Sequence, residues 1–439
     1  MNYLKYIFVL FLAITTLPAF SQTDTVYTLQ QCIDIAIKNN LDVRKSELDM
    51  ERDRVYWNQA RENLLPTVNG NVQHTISNGR SQDPTTYNYV NQQIKFAQYN
   101  LNSNLILFNG MNLMNTIKQY SLSYQAGKLS YQQAKDDITL NVISTYLQVL
   151  DNQELLNQTA TQVEVSKQQV DRLKILDKSG NISPSQLSDL RGQLASDQLN
   201  LIDARNAMYA AKLNLMQLMN VPFNREAKIQ PIPADQLPGQ YTQNADQVYQ
   251  TALNGLPLVK AAELRYRSSA KAVSAARGAL YPTLALGGGW GTNYSSTGNT
   301  NYGSQLRNNY NTNFTLGLSI PILNYWRNRN NVSLAKINML EAQATNENTK
   351  VLLRKNVEQA YVNMTSAYER YQTLTEQVDA FSESFRVAEV KFNSGVLNSV
   401  EFIVIKGNMD RAKLNLISAR YDYFIRAKIL DYYQGKLTL

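Results

Sequence analysis

The stretch from Leu353 to Phe402 constrains the fold most, because it holds a long heptad, a glycine turn and the start of a returning heptad. Leu353, Val357, Ala360, Met364, Ala367, Tyr371, Leu374, Val378, Phe381, Phe385, Ala388 and Phe392 recur alternately four and three residues apart. That is the period of a left-handed coiled coil. Asn393-Ser394-Gly395 interrupts it, and Phe402, Ile405, Met409, Ala412, Leu416, Ala419 and Tyr423 carry the seam back. The spacing predicts one long helix going out and another returning.

Moved back by 215 residues, the frame meets a second copy: Ile138, Val142, Thr145, Val149, Asn152, Leu156, Thr159, Val163, Ser166, Val170 and Leu173, turning at Ser179-Gly180. Nearer the start of each half the offset is 216, where Leu64, Pro66 and Thr67 match Leu280, Pro282 and Thr283. The pattern reads as a tandem duplication. A first repeat covers 22–220, a Pro-rich connector 221–244 and a second repeat 245–439. Each repeat opens with a helix, continues with a β-hairpin (67–106 and 283–320) and ends in a long helical hairpin with its tip at 180 or 395.

After Pro66 the apolar period becomes two: Val68, Gly70, Val72, His74 and Ile76 alternate with Thr67, Asn69, Asn71, Gln73 and Thr75. Leu316, Leu318 and Ile320 alternate with Thr315, Gly317 and Ser319 in the same way. Polar stretches, Ser77 to Gln93 and Ser295 to Asn309, read as loops. Four strands of roughly 10 to 12 residues suit a tilted crossing of a bilayer, with Tyr99, Trp290, Tyr294 and Tyr310 as interfacial aromatics. Four strands do not close a barrel. Three copies, contributing about twelve, form the smallest ring with a watery lumen, so the predicted class is a trimeric α+β membrane protein.

Lys5, the apolar run Tyr6 to Leu17 and Pro18-Ala19-Phe20-Ser21 read as a cleaved secretory signal over residues 1–21. Export removes nucleic acid as a partner for the formal charge of +8. One cysteine and one histidine, Cys32 and His74, supply neither a zinc site nor a Cys-His nucleophile pair, so no enzyme, metal or cofactor is expected. Cys32 follows Leu29-Gln30-Gln31 rather than the small residues of a lipid-attachment site, and is expected on the seam of the first helix.

Ala36-Ile37-Lys38-Asn39-Asn40, Leu64-Leu65-Pro66, Leu105-Ile106-Leu107-Phe108-Asn109-Gly110, Ile320-Pro321-Ile322-Leu323-Asn324 and the two glycine hairpins together resemble the TolC family of outer-membrane efflux proteins. The resemblance implies a trimer, with a barrel in the outer membrane joined to a helical barrel in the periplasm. It implies a passive exit duct that takes substrate from an inner-membrane pump through a periplasmic adaptor. The tips that meet the adaptor would be Gly180, Ile182, Gly395, Val396 and Leu397, with the apolar side chains of Ile182, Val396 and Leu397 exposed. The family's acidic periplasmic rings fall on Gln186, Asp189, Glu401 and Val404, of which only Asp189 and Glu401 are acids.

Gly192 and Gly407 match within the returning helices, which suggests close packing or a flexible point. Arg191 and Lys406 are placed to pair with the acidic positions. The competing reading is a structural or adhesive periplasmic coiled-coil protein without a pore.

Overall fold

A computed structural model describes residues 26–82, 87–179, 182–232, 241 and 243–436. The signal at 1–21, Gly180 and connector residues 233–240 lie outside the described residues. The first half contains β1 (Val26–Tyr27), α1 (Leu29–Asn39), α2 (Leu41–Glu62), β2 (Thr67–Ser77), the short ribbon β3 (Arg80–Gln82) and β4 (Tyr89–Asn91), β5 (Ile94–Asn109), α3 (Asn112–Lys178) and α4 (Pro184–Leu218). After β6 (Lys228–Ile229), the second half contains α5 (Ala245–Gly255), α6 (Pro257–Gly278), β7 (Thr283–Ser295), α7 (Tyr302–Asn308), β8 (Asn311–Ser319), α8 (Arg327–Asn393) and α9 (Ser399–Tyr433). Helices in the order 11, 22, 67 and 35 residues occur in both halves. At 1.5 Å per residue the longest are roughly 100 Å.

The first helical segment is broken rather than continuous. Asn40 is extended, which ends α1, and its carboxamide accepts from the N–H groups of Asp42 and Val43, which starts α2. Leu256 makes the same extended break between α5 and α6. Each long helix is entered through two left-handed residues, Gly110–Met111 and Tyr325–Trp326. Gly110 has no alternative there, because a Cβ would lie 2.4 Å from the Gly278 carbonyl oxygen. Backbones of the two halves cross at that point.

Three apolar clusters hold the helices. The first gathers Cys32, Ala36, Val142, Leu215 and Met219, with Cys32 fully buried on the inner face of α1 as expected. Tyr146 donates to the carbonyls of Tyr27 (3.2 Å) and Gln230 (2.6 Å), fastening the parallel β1–β6 pair to the middle of α3. The second joins Val248 and Val259 to Val357, Met364 and Leu430. The third lies at the hairpin tips, where the rings of Phe392 and Phe402 stack 4.3 Å apart against Val170, Leu173, Leu187 and Leu190. Of the heptad positions, Leu353, Val357, Ala360, Met364, Ala367, Ala388 and Phe392 are buried, and those from Tyr371 to Phe385 are half-buried.

The stretch Ser295–Asn309 is not simply a loop, since it contains α7. Gln305 holds it: its carboxamide accepts from the Ser295 N–H (2.9 Å) and donates to the carbonyls of Ser295 (3.0 Å) and Thr300 (2.8 Å). A seven-residue helix with no apolar stripe leaves no periodic signal. Among the described residues no helix is long and apolar enough to cross a membrane.

Gly395 closes α8 with φ +77°, its N–H donating to Phe392 while the Val396 N–H donates to Lys391. This is a Schellman turn. Nothing lies within 4 Å of an added Cβ, so the cost of substitution is conformational alone. Gly395→Val should therefore destabilise by about 1–2 kcal/mol and Gly395→Asn by distinctly less. Urea unfolding of the two variants checks the order, and equal losses would mean that the left-handed turn is not the cause.

Candidate functional site

β2, β5, β7 and β8 form one antiparallel sheet in the order β2-β5-β7-β8. Its register sorts the side chains into two faces. Val72, Tyr99, Leu101, Trp290, Leu316 and Leu318 share one, on which Val72 is 70% exposed. The other carries rungs of carboxamides: Asn69, Asn102, Gly289 and Asn313 in one, and Asn71, Asn100, Gly291 and Asn311 in the next. The glycines make room for them. A Cβ on Gly289 would lie 2.2 Å from Asn313 Oδ1, and one on Gly291 would lie 2.6 Å from Asn100 Oδ1.

The chain has 43 basic and 35 acidic residues, yet Lys95 is the one Lys, Arg, Asp or Glu in these four strands. It lies on the apolar face, at the end of β5 opposite Ile76. At the same end Tyr99 joins His74 Nε2 (2.8 Å) to the Tyr302 hydroxyl, and the Tyr294 and Tyr302 rings lie 4.6 Å apart. A sheet with exposed hydrocarbon on one side and uncharged amides on the other matches lipid outside and water within. Among the described residues, β2 and β8 each keep one edge unpaired.

At the opposite end, Asp189 on α4 accepts from Ser399 Oγ (2.9 Å) in the first turn of α9, where the helix dipole favours a carboxylate. Glu401 sits in that same turn with its side chain exposed, while its N–H is capped by Asn398 (2.8 Å). The two predicted acids are thus brought to one level. Gln186 is half-buried, and Val404 is 56% exposed beside a cavity of about 460 Å³ that Gly407 also lines. Val396 is exposed as expected, but Ile182 and Leu397 are half-buried against the Phe392–Phe402 cluster. Stacking of the tip aromatics draws both in.

A family model described as outer membrane efflux protein matches residues 32–221 and 248–435. The chain belongs to that family. Outer membrane protein TolC of Escherichia coli (strain K12) is 22% identical over 421 residues, spanning 93% of this chain and 82% of TolC. Outer membrane protein OprJ of Pseudomonas aeruginosa is 23% identical over 387 residues, spanning 85% and 77%. The fold agrees with the Campylobacter jejuni CmeC outer membrane channel at a TM-score of 0.81 and 17% identity, covering 93% of this chain and 86% of CmeC. This chain is therefore a TolC-family efflux channel of the outer membrane.

Within this TolC-family channel a buried polar layer follows the tip. Lys406, 2% exposed, turns away from the predicted acids and bridges Asp197 on α4 (3.1 Å) and Asp410 on its own helix (2.6 Å). Ser166 Oγ and Gln193 Nε2 (2.7 Å) also donate to Asp197. Burial raises the Asp410 pKa and Lys406 offsets part of the rise. Gly192 and Gly407 are not explained by packing inside the protomer, since an added Cβ on either meets nothing within 4 Å. Sequence reasoning missed this layer. Its signal was the seam itself, which carries Thr159 and Ser166 where the second copy has Leu374 and Phe381.

Removing one member of a buried ion cluster leaves uncompensated charge. Lys406→Met should cost about 3–5 kcal/mol, and adding Asp197→Asn with Asp410→Asn should restore much of it. Urea midpoints of the detergent-solubilised variants test this; a neutral Lys406→Met would show that the layer contributes nothing.

Further along α3, buried Asp151 accepts from Ser418 and Gln148 at 3.3 Å each, and burial pushes its pKa up to about 6. Because the folded value exceeds the ordinary 3.8, stability is greatest while the group is protonated and falls as pH rises from about 4 through about 6. Asp151→Asn should match the parent near pH 4 and exceed it at pH 7.5, by no more than about 3 kcal/mol. Thermal midpoints at the two pH values decide; a variant less stable at pH 7.5 would reverse the sign.

Proposed function

We propose that the chain is the passive exit duct of a tripartite efflux or type I secretion system, assembled as a homotrimer. The carrying observation is the four-stranded sheet, with hydrocarbon on one face, uncharged carboxamides on the other and both edges open. In a bilayer such edges must be paired. Three copies supply a twelve-stranded barrel with the amide face inward, continued by the long helices as a hollow periplasmic cylinder. A cleaved signal delivers the chain, and Cys32, sealed in the first core, carries no lipid.

The hairpin tips, at the positions of Gly180, Ile182, Gly395, Val396 and Leu397, dock the periplasmic adaptor, through which an inner-membrane pump delivers substrate. Asp189 and Glu401 narrow the periplasmic end, with Gln186 one turn nearer the tip and Val404 one turn farther from it, and Gly192 and Gly407 give the returning helices points at which to flex. Threefold symmetry places three copies of each acid around one axis. Like charges gathered there favour cations. The chemistry is conduction, without catalysis, metal or cofactor.

In planar bilayers the double change Glu401→Gln with Asp189→Asn should weaken cation preference and block by multivalent cations, while conductance changes less. Unchanged reversal potentials under a salt gradient would return both acids to ordinary surface roles. For topology, cysteines at Asn78 and Asn299 should label in intact cells with an impermeant reagent, since longer barrel loops face outward. Absence of label at both, in assembled protein, would invert the orientation.

A further inference from the structure

Much of the hydrocarbon face of the sheet is bare, with Phe314 85% exposed, but one corner of it is covered. α7 is folded back against that face. Thr292 Oγ1 donates to the Leu306 carbonyl of α7 (2.7 Å), the rings of Tyr294 and Tyr302 lie 4.6 Å apart, and the Tyr99 and Tyr302 hydroxyls are hydrogen-bonded. Tyr99 is paired with Thr292 and Ala97 with Tyr294, so Tyr99, Thr292 and Tyr294 all stand on the side of the sheet that carries Trp290 and Val72. Thr292 is only 6% exposed as a result. A polar helix therefore lies on the lipid side of the barrel wall, at its loop end.

The few charges of the two hairpins gather at that end. Across 67–109 and 283–319 the chain has three basic residues, Arg80, Lys95 and Arg307, and one acid, Asp83, which lies outside the described residues. Tyr302 and Gln305 turn toward the sheet, which leaves Arg307 exposed on α7. Lys95, also exposed, lies beside the point where β7 leads into that helix: its N–H donates to Ser296 Oγ (2.9 Å) and its carbonyl accepts from the Ser296 N–H (2.8 Å). Among the described residues neither Lys95 nor Arg307 has an acidic partner.

The repeated plan does not require these cations. At the offset of 215 residues that relates the halves from β5 onward, Lys95 corresponds to Tyr310 and Arg307 to Gln92. Both halves depart from the plan at one seam, β5–β7. A cation on a hydrocarbon face is tolerated where its head reaches the membrane interface, and an anionic headgroup there adds attraction.

We propose that this corner, with α7 laid over β7 and Lys95 beside it, binds the phosphorylated saccharide headgroup of an outer-leaflet glycolipid, an inference that rests on the outward loops and lipid-facing sheet above. Lys95 and Arg307 take the phosphates, Arg307 through the fork that suits two oxygens at once. His74 Nε2, the Tyr99 hydroxyl and the Tyr302 hydroxyl form a bonded row across β2, β5 and α7, with the first link 2.8 Å. That row fixes the Tyr302 ring, 39% exposed, as an amphipathic surface for a sugar. Exposed Leu101 and Trp290 continue the same face toward the membrane centre, where the acyl chains of the bound molecule would lie. A free anion would gain nothing from that hydrocarbon; a lipid uses both parts.

The test takes the delipidated full-length protein in detergent and titrates it, by native mass spectrometry, with bis-phosphorylated lipid A, its monophosphoryl form, phosphatidylglycerol and phosphatidylethanolamine. The bis-phosphorylated glycolipid should bind tightest. Lys95→Gln and Arg307→Gln should each weaken it roughly fivefold and the pair together roughly 25-fold, while Lys95→Arg and Arg307→Lys keep most of the affinity. Arg327→Gln removes the same charge at the opposite end of the sheet and should change nothing. An equal loss in Arg327→Gln, phosphatidylglycerol bound as tightly as the glycolipid, or displacement by excess inorganic phosphate would each overturn the proposal. Light scattering and the Asn299 label read the duct separately: loss of specific binding with trimers and outward loops intact sinks only the lipid site, whereas an unlabelled Asn299 in assembled protein removes the placement on which it rests.

Discussion

Backbone pairing in a medium without water is the constraint on which the rest of this channel depends. A β-strand in hydrocarbon with one free edge leaves N–H and C=O groups unpaired at several kcal/mol each. Inside the chain β5 and β7 are paired on both sides, whereas β2 and β8 are paired on one. No internal rearrangement supplies what those edges lack. Their chemistry also carries no charge or bulge to ward off a partner, in contrast with edges that are meant to stay free.

The helices solve a different problem, that of holding two hairpins in one alignment over a great length. Apolar heptads alone tolerate sliding, because one layer of leucines resembles the next. The buried layer of Lys406, Asp197, Asp410 and Ser166 has its hydrogen bonds at one alignment only. A slip of one turn would strand a lysine and two carboxylates in the core. Asp151 and the neighbouring pair of Arg420 with Glu154 repeat this device further from the tip. Such layers add little net stability, and the alignment they impose is their contribution.

Much of the fold was legible because it rests on period. The heptad from Leu353 to Phe392 placed the far end of the 67-residue helix to within a residue, and the period-two alternation placed the strands of both hairpins. Gly395 marked its turn because a left-handed residue at a helix end is glycine's usual place. Less visible were features without period: the break at Asn40, which depends on a capping side chain, and the short α7, which is held by long-range bonds such as those of Gln305 and Thr292. At the candidate site, the acids Asp189 and Glu401 were singled out only through the family resemblance, and Ile182 and Leu397, expected in solvent, are drawn toward stacked phenylalanines.

By itself the sequence determined the long helices, the two faces of each strand and the repetition of one plan, since each follows from local spacing and the side chain's preference for water or hydrocarbon. Tertiary structure decided which strand neighbours which, that Asn102 and Asn313 lean over Gly289, and that Lys406 turns inward to Asp197 rather than outward to the acids of the tip. Those outcomes join residues roughly 200 apart in the chain. A local pattern shows which face a side chain prefers, but only the packed neighbours determine whether a lysine at that position finds water or a buried carboxylate.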